Sequence, residues 1–231
     1  AAYQGRDSAI RLLIERGAGL ESTDSRGYTP LAAAVSAGRT KTAAILLDAG
    51  ANAGFRDDRG NTLAHLAAGR NDAALVRTLI ERGADPDAVS DDGLTALEAA
   101  RIAGDDAAAG ALRAASAARP FLDVVFDGDP EALAAAIASE PGAVKRRYGD
   151  TGMTALLLAA QFRNADAVRG LIDGKSEVDA KDRKGRTPLA FAAENGDEAS
   201  VRRLLEAGAN PSISTQDRET PLQRAAEAAW N

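Results

Sequence analysis

Apolar positions along this chain fall into short runs separated by polar breaks that carry glycine, and the runs recur. Residues 27–38 read "GYTPLAAAVSAG" and residues 185–196 read "GRTPLAFAAENG". A second apolar run follows each phrase, "ILLDAGAN" at 45–52 and "RLLEAGAN" at 203–210, and "TLIERGAD" at 78–85 stands at the same offset from its own threonine. Runs this short, alternating small and branched apolar residues, predict two short helices per unit. The small pairs, such as Ala67-Ala68 and Ala192-Ala193, form a close-packing face, and the "LL" or "LI" of the second helix points inward. Polar stretches such as "DSRG", "DDRG" and "DRKG" supply a projecting turn ahead of each unit.

The interval is constant. Thr29, Thr62 and Thr95 lie 33 residues apart, and Thr154, Thr187 and Thr220 keep the same step. A fixed period in this range is the signature of stacked repeats. Each landmark has a mechanical reason. Threonine accepts a backbone N–H at a helix start, and proline suits the first helical position, as in Thr29-Pro30, Thr187-Pro188 and Thr220-Pro221. Gly38, Gly104 and Gly196 are placed to stop the first helix, and Gly50, Gly83 and Gly208 to stop the second, in the left-handed conformation that glycine tolerates.

The pattern D-x-x-G-x-T-P-L-x-x-A-A, then glycine, then L-L-x-x-G-A-[ND], resembles the ankyrin repeat, and it covers nearly the whole chain. The resemblance implies an all-α repeat solenoid of stacked helix pairs with short β-hairpin turns projecting as fingers. It also implies a non-enzymatic scaffold that binds other macromolecules, mostly proteins, through finger tips and a concave helical face.

The register breaks once, since Thr95 and Thr154 are seven residues short of two periods apart. The organisation read from this is a partial repeat and three further repeats over 1–118, a degenerate unit or junction over 119–148, and repeats over 149–231 that end in a truncated cap. In the middle segment Leu122 and Val125 before Gly128 predict a first helix. Asp129-Pro130 predicts the start of a second, carrying Leu133 and Ile137 and ending near Pro141. Two readings stand for this segment: a degenerate, fingerless unit inside one stack, or the border of a second stack at Pro120. Asn71 and Arg163 replace the helix-ending glycine, and "DGKSEVD" (173–179) departs from the Gly-Ala register. At the ends, Leu13 and Ile14 are expected to lack cover, Trp230 to fold over the last helix, and the polypeptide to extend N-terminally of Ala1.

Composition narrows the function. Aromatics make up only 4% of the chain, so closely approaching alanine faces rather than large rings must fill the core. There are 28 basic and 34 acidic residues, spread evenly over both halves, for a net charge of −6. That balance lacks the basic stripe of a nucleic-acid or membrane-surface binder, and no apolar run is long enough to span a bilayer. The absence of cysteine removes disulfides and thiolate chemistry and suits cytoplasm and periplasm alike, with the cytoplasm slightly favoured. The alanine-rich, cysteine-free composition points to a high-GC bacterial source.

Candidate chemistry is sparse. His65 is the only histidine and stands where the resemblance implies a structural residue bonding between neighbouring turns. Asp57-Asp58 and Asp91-Asp92 read as equivalent turn tips, solvated or acting as an acidic recognition strip rather than a metal or acid–base site. No phosphate-binding loop or nucleophile elbow occurs, so neither cofactor, metal nor catalytic residue is expected. Lys145-Arg146-Arg147 is either a solvated loop or a dock for an acidic surface.

Mapped on the period, the expected partner-binding surface runs Arg26 and Tyr28, then Asp58, Arg59 and Asn61, then Asp91, Asp92 and Leu94. After the break it continues with Met153, Phe162, Arg183, Lys184 and Arg186. Tyr28, Leu94 and Met153 stand out as apolar residues at presumed surface positions, and Phe162 falls where the pattern is usually polar, whereas Phe191 is expected in the core. The expected partner is a protein, with no nucleic acid and no membrane insertion. The chain is expected as a monomer, with dimerisation left open. The alternative function is a regulatory or targeting segment of a longer polypeptide whose activity lies outside this chain.

Overall fold

The computed structural model describes residues 1–116, 120–149 and 151–228. Its contacts divide the chain into two compact units, Ala1–Arg119 and Pro120–Asn231.

The first unit contains α1 (Asp7–Glu15), α2 (Pro30–Ser36), α3 (Thr40–Asp48), α4 (Leu63–Ala68), α5 (Ala73–Glu81), α6 (Ala96–Ala103) and α7 (Asp106–Ala115). The second contains α8 (Phe121–Asp127), α9 (Pro130–Ser139), α10 (Ala155–Gln161), α11 (Ala165–Asp173), α12 (Pro188–Glu194), α13 (Glu198–Glu206) and α14 (Pro221–Ala228). Short connections pair each helix with the next. Two layers result in each unit: α2, α4 and α6 pack in series while α1, α3, α5 and α7 pack behind them. In the second unit α8, α10, α12 and α14 form the one layer and α9, α11 and α13 the other.

Local chemistry starts and stops these helices as their residues dictate. Thr29 Oγ1 accepts from Ala32 N at 3.2 Å, Thr187 Oγ1 from Ala190 N at 3.2 Å and Thr154 Oγ1 from Leu157 N at 3.3 Å. Each such cap contributes about 1 kcal/mol. Asp72, Asp129, Asn164 and Asp197 cap second helices in the same way. The helix-ending glycines are left-handed, and so are three residues that replace them: Asn71 at φ 50°, Arg163 at 58° and Lys175 at 62°. Lys175 accounts for the irregular "DGKSEVD", because it occupies the step taken by Gly50, Gly83 and Gly208. The backbone keeps its course there although the side chain opposes it.

Packing rests on one leucine per repeat. Leu46, Leu79, Leu112, Leu171 and Leu204 share a register position, and none is more than 2% exposed. Burying each contributes about 1.5–3 kcal/mol. Alanines on the facing helices, including Ala34, Ala67, Ala100 and Ala160, are equally enclosed, and Phe191 lies in the core at 4%. The segment from Pro120 forms α8 and α9 as its residues indicate, with Gly128 left-handed and Asp129 capping. Leu133 is fully buried, and it packs so near Gly170 of α11 that a Cβ there would meet Leu133 Cδ2 at 2.7 Å. The expected lack of a finger ahead of α8 concerns residues 117–119, and the expected role of Trp230 concerns residues 229–231; both lie outside the described residues. At the start of the chain Leu13 is 51% exposed while Ile14 packs partly against the core.

Candidate functional site

The projecting turns are built by one rule. The backbone N–H of Asp57 donates to Asn61 O at 3.0 Å, that of Ser90 to Leu94 O at 2.8 Å, that of Asp182 to Arg186 O at 3.0 Å and that of Thr215 to Glu219 O at 3.0 Å. Where the closing residue is aspartate, its carboxylate ties the turn from within. Asp57 Oδ1 accepts from the backbones of Arg59 and Asn61, and Asp182 Oδ1 from those of Lys184 and Arg186. Asp24 does the same with Arg26 and Tyr28. Those two backbone bonds, helped by the Arg26 side chain, hold its carboxyl below the usual value. The two residues after the closing one form the apex; Arg26 bonds back to Asp24 at 3.0 Å and Gln216 Nε2 donates to Arg183 O at 2.7 Å.

Successive turns within a unit are then joined. Asp91 N donates to Arg59 O at 3.0 Å, Arg183 N to Thr151 O at 2.9 Å and Gln216 N to Lys184 O at 2.9 Å. A buttressing guanidinium adds to this in each unit. Arg56 Nη1 donates to Gly60 O at 2.9 Å and Val89 O at 2.8 Å. Arg147 Nη1 donates to Gly152 O at 2.8 Å and Lys181 O at 2.7 Å. Gly60 is required twice over: its φ is 70°, and a Cβ there would lie 2.9 Å from Asp91 N of the next turn.

His65 belongs to this framework. Leu94 O lies 3.0 Å from Nε2, and a carbonyl only accepts, so Nε2 carries the proton. Nδ1 receives the Thr62 N–H at 3.3 Å. Burial lowers the imidazole pKa below its ordinary 6.5, opposed by the bond to Leu94. With both nitrogens engaged and the ring 8% exposed, His65 is a structural link between consecutive repeats. Among the described residues no three His, Cys, Asp or Glu side chains are grouped to hold a metal ion. None of the helices in them is long and apolar enough to cross a membrane.

The repeated turn and helix pair match a known family. The family model described as "Ankyrin repeats (3 copies)" matches residues 1–57, 121–215 and 165–229, and that described as "Ankyrin repeats (many copies)" matches residues 46–100. The chain belongs to the ankyrin repeat family. It is similar to a probable E3 ubiquitin-protein ligase, XBOS31, of Oryza sativa subsp. japonica, with 39% identity over 83 residues covering 36% of this chain and 19% of the relative. It is also similar to the Neurogenic locus Notch protein of Drosophila melanogaster, with 40% identity over 81 residues covering 34% of this chain and 3% of that protein. The chain thus matches less than a fifth of the length of these curated relatives. Among solved structures it resembles the ankyrin repeat domain of Bcl-3 at a TM-score of 0.50 and 23% identity, over 100% of this chain and 96% of that one. That likeness concerns the fold.

Within the ankyrin framework the expected surface residues separate into two groups. Arg26, Asp58, Arg59, Asp91, Arg183 and Lys184 are exposed at turn apices, and Asp92 is half-buried beside them. The residues immediately before the threonines are different. Leu94 and Met153, expected at the surface, are buried at 8% and 4% exposure. They occupy the position preceding the helix cap, whose side chain folds toward the fourth helical residue. The same column holds Arg186, which lies over the Phe191 ring at 4.4 Å and pairs with Asp182 at 2.7 Å. It also holds Asn61, whose Nδ2 donates back to Asp57 at 3.1 Å. Tyr28 in this column is half-buried, set edge-on to Phe55 at 5.7 Å between ring centroids. Phe162, at the end of α10, is 38% exposed and edge-on to Phe126.

One equivalence needs correction as well. Asp57 corresponds to Ser90, and Asp58 to Asp91, since Asp57 and Ser90 are the closing residues of their turns. Only Asp58 of the first acidic pair is an apex residue. Of the basic run, Arg147 is the buttress already described, Arg146 pairs with Glu140 and lies over Tyr148, and Lys145 is exposed. Gln216 and Asp217 form a further exposed apex outside the expected surface row. Counting one period on from Arg183 and Lys184 finds them.

Proposed function

We propose that this chain is a non-enzymatic protein-binding scaffold whose contact surface includes the apices of its projecting turns. The observation that carries the reading is the division of labour in each turn. Backbone groups, with a closing aspartate or a buttressing arginine where the turn has one, hold the turn, and Asp58, Asp91, Arg183 and Lys184 stand exposed on that support. Groups held in place before a partner arrives lose little freedom on binding.

The test is affinity capture from the source organism, followed by titration of the purified captured protein against the chain and its Asp58→Ala/Asp91→Ala variant. The expected result is an affinity about tenfold lower, corresponding to roughly 1.4 kcal/mol, with an unchanged melting temperature. Equal affinity in both, or a reaction that disappears with the two carboxylates, would contradict it. A second reading, a regulatory or targeting segment of a longer polypeptide, is favoured by the small share of its curated relatives that the chain matches.

A further inference from the structure

We propose that the turn edge of the second unit, centred on Arg147, Arg183 and Lys184, docks an acidic, carboxylate-rich segment of a protein partner. The inference deepens the scaffold reading and rests on it. In this unit Arg146, Arg169, Arg186, Arg202 and Arg224 all lie within salt-bridge distance of a carboxylate. Arg147, Lys181, Arg183 and Lys184 are exposed and, among the described residues, have no such partner. Lys145, Arg163, Lys175, Arg203 and Arg218 also lack such a partner among the described residues, but Arg147, Lys181, Arg183 and Lys184 are gathered at one edge. A Cβ built on Gly152 would stand 3.6 Å from Arg183 Cγ and 3.8 Å from Arg147 Nη1, so the two arginine side chains flank one glycine. Lys184 is the next apex residue, and Lys181 supplies the carbonyl that Arg147 holds.

The cluster is also pre-set. Arg147 is fixed through Nη1 alone, which leaves its Nη2 and Nε donors for a ligand. The backbone under Arg183 and Lys184 is pinned on both sides, by Thr151 O and by Gln216. A guanidinium held flat with donors to spare matches a carboxylate in two-point geometry. The sign of the ligand follows from the uncompensated charge. Its kind follows from what surrounds that charge. Asp217 stands at the neighbouring apex, the chain as a whole is at −6, and the described apices of this edge carry no aromatic residue. Single-stranded nucleic acid is held by stacking on aromatics along a continuous basic groove, and this edge has neither. A short run of aspartate and glutamate needs only the three or four cations present.

The experiment is fluorescence anisotropy with a labelled deca-glutamate peptide at physiological ionic strength, with labelled deca-lysine and a ten-nucleotide thymidine strand as comparisons. The expected result is binding of deca-glutamate alone, weakened at least tenfold in Arg183→Glu/Lys184→Glu and also by raising the salt. Both positions are exposed, so the variant should melt with the wild type. Asp58→Ala/Asp91→Ala in the other unit should shift this affinity less than about twofold, because it removes none of the cations proposed to hold the peptide, and exposed charges are weakened by salt. No binding of deca-glutamate, equal binding by the charge-reversed variant, or preference for the thymidine strand would overturn the proposal. If in any of these cases a captured partner still responds to Asp58→Ala/Asp91→Ala, the scaffold reading stands and only the acidic-segment assignment falls.

Discussion

Arg56 in the first unit and Arg147 in the second perform the same act at turns that otherwise share little. Each reaches with one nitrogen to the glycine carbonyl of its own turn and to a carbonyl one repeat later. The charged residues at the described apices differ: Arg26, Asp58, Arg59, Asp91 and Asp92 in the first unit, Arg183, Lys184 and Asp217 in the second. The support is repeated and the display is not. Groups that hold the turn act on backbone atoms, which every repeat possesses, so the same solution recurs. Apex residues carry less of that load, although Gln216 donates to Arg183 O and Arg26 pairs with Asp24, so their identity varies from turn to turn.

Breaking the support should cost most where two turns approach most closely. Gly60→Ala must place a side chain at positive φ, costing about 1–2 kcal/mol, and must also push the next turn away. The expected loss is about 3 kcal/mol. Gly185→Ala, where the nearest backbone nitrogen is at 3.2 Å rather than 2.9 Å, should lose about 2 kcal/mol. Denaturant unfolding of both variants tests the order, and equal or negligible losses would remove the argument from close approach.

Next come the buttresses. Arg56→Ala and Arg147→Ala each remove two charge-assisted bonds to carbonyls that water can partly replace, so each should lose about 1–2 kcal/mol. The two losses should agree within about 0.5 kcal/mol if the device is the same. Hydrogen exchange at Asp91 N in the one variant and Arg183 N in the other should quicken locally.

The smallest difference is one of pH. His65 has no ionisable counterpart at Leu157 or Ala190, which hold its register position in the second unit. Its folded pKa lies below 6.5, so as pH falls through about 6.5 the unfolded chain takes up a proton that the native state refuses. Stability from this source is complete above that pH and declines below it, at no more than about 1.4 kcal/mol per pH unit. Between pH 7.5 and 5.5 the first unit's amides should lose protection and the second's should not. His65→Gln should be less stable at pH 7.5 and should lack the decline.

Much of this was legible in the chain itself, for reasons that are local. Thr29, Thr154 and Thr187 cap helices, and Gly38, Gly104 and Gly196 end them, through bonds made within a few residues, so their spacing is readable as structure. Leu94 and Met153 were misjudged because nearness to an exposed apex does not set a side chain's direction. The fourth residue of the following helix does, and Arg186 lying over Phe191 shows that a charged side chain obeys the same geometry. Lys175 was read as a lapse in register, yet its neighbours hold the backbone left-handed without glycine.

The linear order of residues was sufficient for the period, the helix pairs and the buried leucine of each repeat, because each follows from short-range bonding repeated at equal intervals. The structural place of His65 came from the resemblance, since its bond to Leu94 O reaches into the next repeat. Linear order was not sufficient either for which arginines carry turns and which are left unpaired. Arg147 and Arg183 are both basic residues beside glycine-containing turns, and nothing in their neighbours along the chain separates them. The separation appears only once the carbonyls of Gly152 and Lys181 are brought to the same guanidinium, since those acceptors belong to consecutive repeats and meet only through packing.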